Sequence, residues 1–371
     1  MSDLHRQSAR APSPRRTPPA TQVVPCLLLA LLGCPAVRAG VEGAEPGGPS
    51  ETGEADETGE ADETGEADEP GAAEEGLEGP TSPPGETVET VEQVEPGFRG
   101  GDDDLLLATL CEATPARWER NTRGTTISFR ITFDDGSQAA YKPDQTIGHS
   151  NWEAEVAAYR LNRWLGIHRV PPSCARRATR DELMGAEAVT PDFRRRLEES
   201  VLFDADGTVL GMAMHWVADL RGTEEYASDG DWPSWLAQGN RIPEGRREDA
   251  AALSDLLLLD WLTLNTDRWT GGNLRRAGDA DGPLVFIDNA AGFGTEAGTG
   301  RVWPYFRWAQ RFRRSTVERL RELGDAALDE LLGDVLTVDQ LDGLRTRRDR
   351  ARERIDELVE RFGDANVSYF D

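Results

Sequence analysis

The chain has 371 residues, with 68 acidic side chains against 41 basic ones and a formal net charge of −27. That length suits two domains or one large one. The charge excludes a general nucleic-acid binder, because phosphate contact needs a basic face and this chain has no surplus to build one. The imbalance is local: 41–96 holds 19 acidic residues and no Lys or Arg, and 1–40 holds one Asp and five Arg, which leaves 97–371 at a net −12. Of the 41 basic residues 40 are Arg, and Lys142 is the single lysine.

The first 40 residues read as an export segment. Arg6, Arg10, Arg15 and Arg16 precede an apolar run from Val23 to Leu32, too short for a bilayer-spanning helix of ~20 residues. Two endings compete. Leu31-Leu32-Gly33-Cys34 has the form of a lipoprotein box that would put a lipid on Cys34, the only membrane attachment the sequence suggests. Val37-Arg38-Ala39 offers ordinary signal cleavage. Residues 41–97 follow as an acidic tether in which the hexad Glu-Thr-Gly-Glu-Ala-Asp is repeated from Glu51. Like-charge repulsion and the lack of apolar side chains keep it from burying a core, and no EF-hand spacing makes it a calcium site.

A folded domain is expected over 98–371, with a first lobe to about 218 and a second from about 219. Ile127, Phe129, Ile131 and Phe133 alternate as a half-buried strand. Asp134-Asp135-Gly136-Ser137 is a turn, and Gln138 to Lys142 returns as a second strand, with Pro143 ending the ladder. Trp152 to Leu165 reads as a helix closed by Gly166, with Ala154, Ala157, Leu161 and Trp164 on one side and Glu153 and Glu155 in the first turn. Val170-Pro171-Pro172 is extended. Phe203 to Val217 suggests a hairpin around Asp206-Gly207, and 219–247 is a polar insertion. Asp249 to Leu264 is a strongly apolar helix, Leu284 to Ile287 a short buried strand that delivers Asp288. From Arg301 to about Gly363 the chain is mostly helical, with Leu320, Leu323, Leu328, Leu331 and Leu332 as core positions. Strands first and helices later give an α+β, two-lobed layout with a cleft between the lobes.

The chemistry-bearing residues sit at the ends of these elements. A lone Lys on a hairpin, a Glu in the next helix, an Asp after a buried helix and a second Asp at the end of a short strand are the parts phosphoryl transfer needs. Lys142 can hold nucleotide phosphates, and a helix Glu, either Glu153 or Glu155, can orient it. Asp267 can take the proton of an incoming hydroxyl, Asp288 can hold a divalent metal, and Asn273 could complete the metal shell. Each residue also has a bland reading. Lys142 could be an ordinary surface lysine, but Arg serves a surface ion pair equally well, and a compact ammonium in a chain that otherwise uses Arg asks for a reason. Asp288 could be a turn former, and Asp267 could cap a turn with Arg268 as its partner. Cys111 and Cys174 could pair in an oxidising compartment, and four His argue against a His-based metal centre.

Taken in order, these stretches resemble the secretory-pathway kinases of the Golgi casein kinase family and, more distantly, HipA-like kinases. The matching pieces are Asn151-Trp152-Glu153-Ala154-Glu155-Val156-Ala157-Ala158-Tyr159-Arg160-Leu161 with Val170-Pro171-Pro172, Leu264-Asn265-Thr266-Asp267-Arg268, Phe286-Ile287-Asp288-Asn289 with Gly292-Phe293-Gly294, and Arg313-Arg314-Ser315-Thr316-Val317. The likeness spans about 125–320. It implies an atypical protein-kinase-like fold, use of ATP with Mg2+ or Mn2+, and a protein or glycan hydroxyl as acceptor. It further implies that Lys142 holds phosphate, Glu155 is the glutamate facing it, Asp267 is the catalytic base and Asp288 the metal ligand.

The sequence also departs from that pattern. The second metal ligand of the kinase loop would fall at Gly272, one residue before Asn273, so either the Gly271-Gly272 pair lets the loop bulge or that ligand is lost. The cysteines that staple the animal enzymes are absent beyond Cys111 and Cys174. No Gly-x-Gly-x-x-Gly loop is present, and Arg123-Gly124-Thr125-Thr126 is the candidate to cover the phosphates. The competing readings are an inactive kinase-like binding module, a transferase moving AMP onto a protein, and a metal-dependent hydrolase. The hydrolase is disfavoured by the missing His or carboxylate cluster.

Overall fold

The computed structural model describes residues 97–371 apart from 123, 149, 227–229, 270–271 and 297–301. The export segment with Cys34, the acidic stretch to Pro96, Arg123 and Gly271 lie outside the described residues.

Helix α1 (Asp103–Glu112) is capped by Asp102, whose carboxylate accepts from the amides of Asp104 and Leu105. Strands β1 (Pro115–Arg120), β2 (Phe129–Phe133) and β3 (Gln138–Pro143) follow, then α2 (Trp152–Trp164), β4 (Ser173–Thr179), α3 (Arg180–Gly185), α4 (Pro191–Ser200) and β5 (Thr208–His215). The five strands form one antiparallel sheet in the order β1-β2-β3-β5-β4. Period-two alternation splits its side chains. Phe129, Ile131, Ala139, Tyr141, Val209 and Ala213 enter a core closed by Trp118, Leu183, Phe193 and Leu197. Met212 on the opposite face joins the core built around α2 and the helical lobe.

The hairpin β2–β3 and helix α2 lie where the residue pattern put them, and Gly166 beyond α2 has φ +67°. Two expectations need correction. Pro143 is itself the last pair of the ladder, opposite Gly211, so the ladder ends one residue beyond Lys142. The Asp206-Gly207 turn exists, with Thr208 N donating to Asp206 Oδ1 at 3.0 Å, yet 203–205 is no strand. The true neighbours of β5 are β3 and β4, and non-local pairing overrode the local hairpin signal. Helix α1 and strands β1 and β4 were not read from sequence. Ser173–Thr179 carries two arginines and no residue of high strand preference before Thr179, so periodicity had little to act on.

The second lobe begins with β6 (Leu220–Arg221), continues through α5 (Arg247–Thr263), and adds β7 (Leu274–Ala277) and β8 (Leu284–Phe286), which form an antiparallel sheet in the order β6-β7-β8. Then come α6 (Val302–Phe306), β9 (Phe312–Arg313), α7 (Arg314–Glu322), α8 (Asp325–Leu332), α9 (Val338–Phe362), α10 (Asp364–Val367) and β10 (Ser368–Phe370), the last parallel to β9. Helix α5 is buried from Ala250 to Thr263, as a helix apolar on nearly every side must be. Trp261 stacks on Phe306 with ring centroids 5.5 Å apart. Leu320, Leu323, Leu328 and Leu332 are buried and Leu331 is half-buried.

Several links tie the amino-terminal part of this body to the rest, among them a disulfide and a buried aromatic ring. Cys111 and Cys174 form a disulfide joining α1 to β4, with Cα atoms 6.1 Å apart. Phe98 is buried with Val217, Ala277 and Val285, between the end of the large sheet and the small one. Among the described residues no helix is long and apolar enough to cross a membrane.

Candidate active site

Lys142 owes its direction to the sheet. Tyr141 points into the strand-lobe core with none of its surface exposed, so its neighbour faces α2. One step along the ladder, Gly211 opposite Pro143 is glycine for a steric reason: a Cβ there would lie 2.3 Å from Lys142 O. On α2, Glu155 is 1% exposed. Lys142 Nζ donates to Glu155 Oε1 at 2.7 Å and to Asp288 Oδ1, also at 2.7 Å. One ammonium therefore joins a strand, a helix and the end of β8 in the other lobe. Glu155 is the glutamate in this contact, and its second oxygen accepts from Asn289 N at 2.8 Å.

The charges reinforce each other. Burial works against the Lys142 ammonium, but Glu155 and Asp288 outweigh it and hold its pKa above the ordinary lysine value. Burial likewise opposes ionisation of Asp288, and Lys142 outweighs that, keeping the carboxyl below its usual range. Both groups are charged at neutral pH, and Asp288 is still 47% exposed toward solvent.

Asp288 has φ +56°, a left-handed conformation that Asp tolerates better than most residues. The segment after it is tied down at Thr263, whose carbonyl accepts from Phe293 N, and Gly292 N donates to Asn289 O at 2.9 Å. Leu264, the left-handed cap of α5, turns the chain into the loop that carries Asp267. There Asn265 Oδ1 accepts from Asp267 N at 3.1 Å. Gly272 has φ +75°, and after this turn Asn273 Nδ2 donates to Asp267 O at 3.0 Å and to Asp267 Oδ2 at 3.3 Å. The loop thus folds back so that Asn273 meets Asp267. Asn273 O in turn accepts from Ile287 N at 3.1 Å, which sets this pair beside the strand end bearing Asp288.

Several residues of the site were not legible as such. Arg268 does not pair with Asp267. It is buried and forks onto Asp260 in α5, with distances of 3.0–3.2 Å. Burial pushes the Asp260 carboxyl up, with Arg268 opposing. The available signal was Asp260 itself, one of two carboxylates, with Asp255, in the buried stretch of α5, each of which must find a partner. Of the proposed phosphate cover, Gly124 has φ +92° and Thr125 O accepts from Arg196.

The donors near the two aspartates suit a hard cation. A carboxylate from Asp288 and the amide oxygen of Asn273, whose nitrogen faces Asp267, are the oxygen ligands Mg2+ and Mn2+ favour. Among the described residues no group of three or more His, Cys, Asp or Glu is arranged to hold a metal. A cation here would be completed by phosphate oxygens and water, the usual manner for Mg2+.

No protein-family model and no curated protein sequence matches the chain. Solved structures do resemble it. The Golgi casein kinase with Mn/ADP bound matches with a TM-score of 0.56 at 20% identity, covering 73% of this chain and 80% of that one. A further structure of the Golgi casein kinase gives 0.58 at 19%, covering 74% and 82%. The structure of hydra Fam20 with sugar gives 0.53 at 17%, covering 74% and 95%. The chain shares with them a bilobal α+β architecture, a strand-rich first lobe and a helical second lobe. At these identities the likeness is one of fold.

Proposed function

We propose that the chain is an ATP-dependent phosphotransferase that moves the γ-phosphate to the hydroxyl of a protein or glycan acceptor. The observation that carries this reading is the single lysine of the chain held 2.7 Å from both Glu155 and Asp288 across the two lobes, on a fold also found in a kinase crystallised with Mn/ADP. A lysine so held is preorganised to receive phosphate without reorganising at the moment of reaction.

In this reading Lys142 neutralises the nucleotide phosphates and Glu155 keeps its ammonium in place. Asp267 accepts the proton of the attacking hydroxyl, and the Asn273 bonds to its carbonyl and Oδ2 fix the direction in which the carboxylate faces. Asp288 and Asn273 would hold Mg2+ or Mn2+. When bound, the cation supplies charge neutralisation across the β- and γ-phosphates. The chain's own contribution is to orient phosphate and hydroxyl in line. The amino-terminal pattern supports an exported protein, anchored through Cys34 or released.

The test is transfer of γ-labelled phosphate from ATP by the full chain with Mg2+ or Mn2+, beside Asp288→Ala and a parallel reaction with α-labelled ATP. Label from the γ position, abolished in the variant, is the expected result. Label from the α position instead would make the protein a nucleotidyl transferase. No transfer together with no metal-dependent nucleotide binding would leave an inactive binding module.

A further inference from the structure

Arg268 is fully buried, next in sequence to Asp267, and makes six hydrogen bonds. Nε and Nη2 grip the Asp260 carboxylate. The other contacts go elsewhere. Nη1 donates to Asn273 O at 2.7 Å and to Ile287 O at 2.8 Å, and Nη2 donates to Asn289 Oδ1 at 2.6 Å. Asn273 is the residue bonded to the Asp267 carboxylate, while Ile287 and Asn289 flank Asp288 on either side.

We infer that Arg268 is a positioning residue for the reaction proposed above, on which this inference rests: its guanidinium sets the spacing between the Asp267 loop and the Asp288 strand end. A core ion pair with Asp260 would satisfy the charge of both partners without any bond to Asn273, Ile287 or Asn289. Here Asp260 anchors one edge of a planar fork, and Nη1 donates to the carbonyls of Asn273 and Ile287, which lie on the two segments where β7 and β8 begin to pair. The pleat alone does not fix this junction, because Asp288 leaves the strand in a left-handed conformation and Gly272 turns the loop on the other side. A rigid body with several donors in one plane bridges such a junction. A lysine in its place keeps the charge opposite Asp260 but cannot reach both carbonyls and Asn289 at once. Because the chain uses Arg almost everywhere, the identity of residue 268 carries no compositional signal, and its role rests on the geometry alone.

The experiment compares the full-length wild type with Arg268→Lys and Asn289→Ala. It reads three quantities: Mn2+ dependence of ADP binding by calorimetry, kcat and KM for phosphate transfer, and amide hydrogen exchange. For Arg268→Lys the half-saturating Mn2+ for ADP binding is expected to rise about 10-fold, the loss typical when a group orienting metal ligands is removed. The value of kcat is expected to fall roughly 100-fold, as for a misplacement of about 1 Å, with KM for ATP in excess metal moving less than about threefold. The Ile287 amide, bonded to Asn273 O, exchanges faster in the variant relative to the amides of α9. Asn289→Ala shifts all three in the same direction by less.

Unchanged Mn2+ dependence and unchanged Ile287 exchange, with kcat falling only in proportion to the folded fraction, would reduce Arg268 to a core ion pair and overturn the inference. Should Arg268→Lys fail to fold, Asn289→Ala decides on the same readouts. A wild type that neither binds Mn–ADP nor transfers phosphate overturns the proposed function instead. The exchange measurement still separates a fork that holds the two strand ends from one that does not.

Discussion

Lys142 shows why a residue's neighbours matter more than its charge. Two carboxylates converge on one ammonium at 2.7 Å each, a geometry that suits a compact donor on a flexible stem and not a planar fork. Lys142→Arg, conservative for a chain with 40 arginines, is therefore expected to fold and yet lose transfer by about 100-fold or more. Circular dichroism and kcat measured on the same preparation check this. Gly272 makes a second case. Its φ of +75° and a Cβ site 2.9 Å from the Arg275 guanidinium mean Gly272→Ala costs about 1–2 kcal/mol of backbone strain. Because the turn delivers Asn273 to Asp267, the variant should lose more in kcat than its thermal midpoint suggests. The carbonyl and carboxylate partners of Asn273 were not readable from sequence, since a side chain's bonds across a six-residue loop depend on how the loop closes.

At the scale of elements, α1 was invisible to periodicity and is held to the sheet by bonds that depend on distant segments. Asp103 Oδ2 accepts from Tyr159 of α2 at 3.0 Å, and Arg176 of β4 donates to the carbonyls of Leu110 and Ala113. The Cys111–Cys174 disulfide crosses the same seam with a sequence separation of 63. Chain-entropy arguments for a loop of that size give about 4 kcal/mol of stabilisation. The double variant Cys111→Ser/Cys174→Ser should unfold at correspondingly lower denaturant concentration, while Lys142, two strands away from β4 in the sheet order, keeps its partners. An unchanged midpoint would show that the hydrogen bonds alone hold α1.

For the whole molecule, the junction between the lobes is the sensitive place. Phe98, 3% exposed, packs where the large sheet ends and the small one begins, and its ring meets His215 edge-on at 6.2 Å. Phe98→Ala should cost about 3–5 kcal/mol, read as a drop in denaturation midpoint. His215 gives the junction a pH dependence. Burial lowers its pKa, the charge of Arg99 lowers it further, and Asp103 opposes both. A folded value below the unfolded one, near 6.5, means stability is fully present above that pH and is lost as pH falls through the folded value. His215→Gln should flatten the stability profile on the acid side of about pH 6.5, and a variant profile identical to wild type would remove His215 from the account.

Sequence alone determined what local physics can determine. Alternation placed β2 and β3, a run of leucines placed α5, and the lone lysine and two aspartates at element ends named the candidate chemistry. The tertiary structure decided everything that depends on distance between segments remote in sequence. It made Glu155 rather than Glu153 the glutamate that meets Lys142, paired β5 with β3 and β4 in place of a local hairpin arm, and gave Arg268 to Asp260. A buried charge announces in the sequence that it needs a partner. Which partner it takes is set by packing, because only the folded core brings residues from α5, the loop after it and the end of β8 within reach of one guanidinium.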